Sequence, residues 1–179
     1  MKTRGFEIVS RYQEAGLTLP KRQTKQAAGY DLQAAVDMVV PTIWKQPLAK
    51  MLWAYCQKRP QQGRWAHWAE QVLKPVLIPT GLKAYLPAEE VLLLVNRSSG
   101  PLKRGLVLPN SVGVIDADYY DNPQNEGEIF VQMLNFFPTD RLIKKGDRIC
   151  QGIFVPYLTV DNDHNDAPRR QGGFGSSGE

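Results

Sequence analysis

The sequence predicts a mainly β domain, a sandwich, jelly roll or barrel, interrupted by one helical hairpin. Three observations carry this. Short runs of branched and aromatic residues recur between turn signals. No regular alternation of strand and helix patterns accompanies them, which argues against a parallel α/β sheet. The stretch with helical spacing, residues 41–75, also stands apart in composition. The 179 residues are about one domain's worth, and 42% hydrophobic with 22% charged residues excludes a disordered or collagen-like chain.

Taken in order, the start, Met1–Arg11, has no apolar signal core, and the first strand is expected at Phe6–Val9. Trp44, Leu48, Met51, Leu52 and Tyr55 then recur at helical spacing, as do Trp65, Trp68, Val72 and Leu73. Pro60-Gln61-Gln62-Gly63 separates the two runs, and Pro41 and Pro75 mark the ends of the insertion. This segment holds all four tryptophans and six lysines and arginines against one glutamate, so the +4 of the whole chain belongs to it. A hairpin packed back on the surface explains the apolar stripes. Exposed tryptophan amid cations would instead suit an acidic protein partner, while nucleic acid is disfavoured because no recognised fold supports it.

Further strands are expected at Leu77–Ile78, Leu82–Leu86, Val91–Val95, Ile129–Phe136 and Ile149–Tyr157, bounded by signals such as Pro79-Thr80-Gly81 and Lys144-Lys145-Gly146-Asp147. Val91–Val95 is far too short to span a bilayer, so no membrane association is expected. Residues 159–179 carry acids, then Arg169-Arg170, then glycines, and read as an arm that orders on contact. Cys56 and Cys150 are too few for a disulfide framework, which points to a reducing cytoplasm.

Several blocks carry chemistry. Asp116 and Asp118 flank Ala117, so in an extended segment both carboxylates share a face, and one is a candidate general base. Arg97-Ser98-Ser99-Gly100 offers a guanidinium, two hydroxyls and free amides to a phosphate. Gly173-Phe174-Gly175-Ser176-Ser177-Gly178 formally matches a dinucleotide-binding turn, but no helix can follow it. Its glycines still let backbone N–H groups approach phosphate closely. His67, His164, Cys56 and Cys150 are scattered, without metal-ligand spacing.

Five blocks stand in order: Ala28-Gly29-Tyr30-Asp31-Leu32; Arg97-Ser98-Ser99; Gly113-Val114-Ile115-Asp116-Ala117-Asp118-Tyr119; Gly146-Asp147-Arg148-Ile149-Cys150-Gln151; and Arg169 through Gly178. Together they resemble the five motifs of the trimeric dUTP pyrophosphatase (dUTPase) family, over nearly the whole chain except residues about 41–75. The resemblance implies a jelly-roll, β-clip-like homotrimer with active sites built from several subunits. It implies hydrolysis of dUTP to dUMP and pyrophosphate by water attack on the α-phosphorus, with Mg²⁺ on the triphosphate. Such an enzyme keeps uracil out of DNA and supplies dUMP for dTMP synthesis.

By the same resemblance Asp116 is the water-activating base and Asn110 reads the uracil edge. Val114 and Ile115 supply backbone contacts to the base, and Tyr119 lies under the deoxyribose. Arg97, Ser98, Ser99 and Gln151 contact phosphate, and Asp31 reaches the metal through waters. Arg169 clamps the distal phosphates, while Phe174, with Gly175 and Ser176 beside it, closes over the nucleotide of a neighbouring subunit. Arg170, Gly100-Pro101 and the longer stretch from Tyr120 to Glu126 depart from the family pattern. A dCTP deaminase, or a nucleotide sensor gripping a protein through residues 41–75, are the rival expectations.

Overall fold

The computed structural model describes residues 2–44 and 74–163. Residues 45–73 of the helical insertion expected over 41–75, and residues 164–179 of the arm expected over 159–179, with Arg169, Phe174, Gly175 and Ser176, lie outside the described residues. Among the described residues the chain forms eleven strands: β1 (Gly5–Ile8), β2 (Tyr30–Gln33), β3 (Met38–Val40), β4 (Val76–Pro79), β5 (Leu82–Tyr85), β6 (Glu90–Asn96), β7 (Leu106–Val107), β8 (Val112–Ile115), β9 (Phe130–Asn135), β10 (Arg141–Ile143) and β11 (Arg148–Pro156). Short 3₁₀ segments follow β1 (Ser10–Ala15) and β8 (Ala117–Tyr119).

The mainly β expectation holds, and all six expected strands are found to within a residue at either end. Strands β2, β3, β7, β8 and β10 are additional. They are only two to four residues long, and β2 buries the polar Asp31, so a search for apolar runs passes over them.

The centre is a four-stranded antiparallel sheet in the order β2-β11-β6-β8. A three-stranded sheet β4-β9-β7 and the pairs β1-β5 and β3-β10 complete the set. Their inner faces share one apolar core in which Leu32, Ile78, Leu82, Leu92, Ile129, Met133 and Ile143 are essentially sealed from water. Burial of this kind is worth roughly 1.5–3 kcal/mol per large side chain. Strand β11 passes directly under that core. A Cβ at Gly152 would come within 3.0 Å of both Leu32 and Leu92, so the absent side chain lets β11 lie flat against them.

Trp44 itself is held against the end of β9, while the other residues of its expected helical stripe lie outside the described residues. Thr42 bridges to Asn135 in parallel, the Ile43 N–H donates to the Asn135 carbonyl, and Trp44 Nε1 donates to the Phe136 carbonyl at 2.9 Å. The chain therefore leaves β3 still attached to β9. It returns at Val76, which pairs with Met133 of the same strand. Leu106 of β7 takes the opposite side of Asn135, so Thr42 and Val76 sit end to end along one edge of β9, on the order of 7 Å apart along the strand. That spacing makes a short connection geometrically sufficient. Replacing residues 45–73 with a short Gly/Ser linker is expected to leave a cooperative urea transition with unchanged far-UV strand signal. A non-cooperative transition would show that the segment belongs to the core.

Candidate functional site

Asp31 lies on β2 with only 2% of its side chain exposed. A carboxylate taken out of water must be paired or pay a large desolvation cost. Three groups meet it. Arg97 Nε donates to Oδ1 at 3.1 Å, Gln151 Nε2 donates to Oδ1 at 3.1 Å, and Arg148 reaches Oδ2 at 3.3 Å. Arg97 also donates to the Arg148 carbonyl. The cluster holds two guanidiniums against one carboxylate, and the excess positive charge is partly open to solvent, as an anion site requires.

The sheet explains why these side chains converge. Gln151 is directly opposite Asp31, so both point to one face. Arg148, three residues earlier, would alternate to the other face. A bulge between Arg148 and Cys150 shifts the register so that Arg148 pairs with Gln33, two residues from Asp31 and on its side. Residue periodicity carries no signal for this bulge, so the sequence alone does not bring Arg148 to the site. Gly29 completes the cradle: a Cβ there would press on the Gln151 side chain at 3.2 Å. Cys150 is fully buried beneath, and burial pushes its thiol well above the ordinary range, so it is not a nucleophile.

Arg97-Ser98-Ser99 caps the end of β6, with the Gly100 N–H closing the turn onto the Arg97 carbonyl at 2.9 Å. Ser98 is exposed and Ser99 half-buried. The Gly100-Pro101 departure is accommodated as a short π turn, Gly100–Arg104, closed by the left-handed Gly105. Arg104 ties this turn to Asp147 at 3.0 Å, next to the start of β11.

A second group of candidate residues runs along edge strand β8. Asn110 lies in the turn before it, where a Cβ on Gly113 would lie 3.5 Å from Asn110 Nδ2. Val112 and Val114 are exposed, and this edge faces no other strand among the described residues. Asp116 is partly buried at the end of β8. The expectation that Asp116 and Asp118 share one extended face does not hold. The Tyr119 N–H donates to the Asp116 carbonyl at 3.1 Å, and the chain turns into the 3₁₀ segment there, leaving Asp118 exposed. Tyr119 is buried, and its hydroxyl donates to the Glu128 carbonyl at 2.7 Å.

These two groups do not meet within one chain. Asp31, Gln151, Val95 and Val112 form a single row across the four strands. Asp116 lies beyond the far end of β8. At about 3.3 Å per residue along a strand and about 4.8 Å between strands, its Cα is roughly 15–20 Å from those of Asp31 and Gln151. General-base catalysis needs hydrogen-bond reach, directly or through one water. A base at Asp116 and a phosphate cradle at Asp31 therefore cannot serve the same reacting group from one copy of the chain.

A family model for dUTPase matches residues 69–178, beginning inside the 41–75 segment and reaching through the glycine-rich tail. The deoxyuridine 5′-triphosphate nucleotidohydrolase of Lactococcus lactis is 46% identical over 179 residues, 99% of each chain. The crystal structure of a dUTPase from Streptococcus mutans covers 88% of this chain and 99% of its own, at 42% identity and a TM-score of 0.68. The dUTPase of phage phi11 of S. aureus shares the fold, with a TM-score of 0.62 at 19% identity over 93% of this chain and 97% of its own.

The Asp31 cluster yields a direct prediction. In Asp31→Asn the new amide points N–H groups at a guanidinium or leaves Gln151 unpaired. Stability in urea is expected to fall by about 2 kcal/mol, less than for a wholly buried pair because both arginines are partly solvated. Inorganic tripolyphosphate should bind more weakly by calorimetry. Unchanged stability and affinity would remove Asp31 from its organising position.

Proposed function

The chain belongs to the dUTPase family and hydrolyses dUTP to dUMP and pyrophosphate, and from this we propose that each active site is built between copies of the chain. The observation that carries the proposal is the separation of Asp116 from the Arg97, Arg148 and Gln151 cradle. In a homotrimer the β8 edge of one subunit is brought against the phosphate cradle of the next. The nucleotide then lies across the seam.

In this reading Asn110 reads the uracil edge, and the backbone of Val114 and Ile115 forms a slot too narrow for thymine's methyl. A backbone edge that no other described strand pairs supports that role. The Tyr119 ring is the floor under the deoxyribose. Arg97, Ser98, Ser99, Arg148 and Gln151 hold the phosphate chain, with two planar guanidiniums already held in place by Asp31. The tail, with Arg169 as phosphate clamp and Phe174, Gly175 and Ser176 over the nucleotide, closes the site. Ordering so glycine-rich a segment is costly, so closure waits for the substrate to compensate.

Asp116 takes a proton from water as the water oxygen bonds to the α-phosphorus. The bond from that phosphorus to its bridging oxygen breaks, and pyrophosphate leaves. The protein's own contribution is positioning and charge stabilisation, which dominate phosphoryl transfer.

Mg²⁺ fits this site as a hydrated ion. Among the described residues no three acidic, histidine or cysteine side chains cluster to form a cage. Asp31 uses both oxygens on nitrogen donors but keeps an acceptor position on Oδ2. It would therefore reach the ion through water, with the triphosphate supplying direct ligands, as Mg²⁺ prefers. The ion would neutralise charge on the phosphate chain. No helix among the described residues is long and apolar enough to cross a membrane, and we assign the enzyme to the cytoplasm. Residues 41–75 are an accessory module open to a protein partner.

Incubation with each dNTP and Mg²⁺ should release pyrophosphate from dUTP and no ammonia from dCTP. Asp116→Asn keeps size and polarity but removes the base. It should bind dUTP normally and turn it over at least ~10²-fold more slowly, the usual scale of a lost general base. Near-wild-type turnover of the folded variant would refute the assignment.

A further inference from the structure

The loop between Tyr119 and β9 is built on its inside from asparagines rather than apolar groups. Asn122 is 4% exposed. Its Oδ1 accepts from the Gln124 and Asn125 N–H groups, and its Nδ2 donates to the Tyr119 carbonyl at 2.9 Å. The same Nδ2 donates to Asn125 Oδ1 at 2.7 Å, which also accepts from the Gly127 N–H. With its oxygen so held, the Asn125 amide has one direction left for its nitrogen. Nδ2 donates to the Tyr119 hydroxyl at 2.8 Å.

Tyr119 is thus gripped at both ends of its side chain's reach. Its backbone carbonyl is held by Asn122, and its hydroxyl is fixed twice, donating to the Glu128 carbonyl and accepting from Asn125. The loop closes hard on this tyrosine. Gly127 is left-handed, and a Cβ there would come within 2.5 Å of the Tyr119 carbonyl oxygen. From outside, the N-terminal segment braces the loop. Ser10 donates from its N–H and its hydroxyl to Glu126, and the Tyr120 hydroxyl donates to Glu7 at 2.6 Å.

We infer that Asn125 is a positioning residue through which this loop sets the enzyme's selectivity for deoxyribose over ribose. The inference rests on the reading of Tyr119 as the floor under the sugar. An apolar wall rejects an added hydroxyl weakly unless it cannot yield, because a ring free to tilt accommodates the extra oxygen. A hydroxyl with one fixed donor and one fixed acceptor denies the ring that freedom. The loop therefore acts as a brace for the Tyr119 ring.

Asn125→Asp isolates the bond. It keeps Oδ1 for Gly127 and Asn122 but cannot donate to the hydroxyl. Steady-state kinetics with dUTP and UTP should show the ratio of their kcat/KM values falling roughly tenfold, the scale of one misplaced contact in a specificity pocket. The kcat for dUTP should be largely retained. Tyr119→Phe should lower the ratio comparably, and Asn125→Asp added to it should cause no further loss. Should Asn125→Asp not fold, Asn125→Ala also removes the donor and must lower the ratio. The proposal is overturned if a folded Asn125 variant keeps the ratio, if the double variant loses it a second time, or if the whole effect falls on kcat for dUTP. Tyr119→Ala separates the two levels. Selectivity retained there defeats the Tyr119 reading itself, whereas selectivity lost there but kept in Asn125→Asp defeats the Asn125 proposal alone.

Discussion

A carboxylate almost without water, Asp31, is the constraint around which this molecule is arranged. Its charge is tolerable only if donors surround it, and the fold delivers them from three separate parts of the chain. Arg97 comes from the end of β6, Gln151 from the middle of β11, and Arg148 from beyond a bulge in that strand. What looks like a stabilising pair is better understood as an orienting device. One negative charge holds two guanidiniums side by side, and among the described residues no second carboxylate is paired with either of them. On the proposed reading a phosphate chain would supply the second anion. The apolar packing serves the same end, because the flat passage of β11 under Leu32 and Leu92 places Gln151 opposite Asp31.

Register also dictates what one chain cannot do. The row from Asp31 across to Val112 fixes the Asp31 cluster at one end of the central sheet, and β8 carries Asp116 away from it. No rotamer spans a gap of this size. The proposed trimer would resolve the conflict by pairing unlike ends of neighbouring sheets, with the residues proposed to read the nucleotide on an edge strand. An edge that no other described strand pairs invites association, and on the proposed reading it would offer backbone donors and acceptors to a base.

Much of this was legible beforehand. The β runs marked six strands closely, and the order of five short blocks, none informative alone, identified the family. The failures have physical causes. Strand β2 hides because its key residue is a buried aspartate, which no hydrophobic pattern detects. Arg148 stands in the fourth block, but its place beside Asp31 depends on a bulge, which is not written in residue periodicity. Asp116 and Asp118 were placed on one face because a turn beginning at Asp116 was taken for continued strand. In each case a tertiary hydrogen bond or register shift overrode a local pattern.

The claim that the site is shared between copies is tested most directly by complementation. Asp116→Asn and Arg97→Ala are each inactive on this account, one lacking the base and the other part of the cradle. Co-expressed and assembled together, they should regain activity. With random mixing, roughly a quarter of the seams in a cyclic trimer join an intact Asp116 to an intact Arg97, so about a quarter of wild-type turnover should return. A mixed preparation, shown by mass to contain hetero-oligomers, that stays as inactive as either parent would contradict the account and place each site within a single chain.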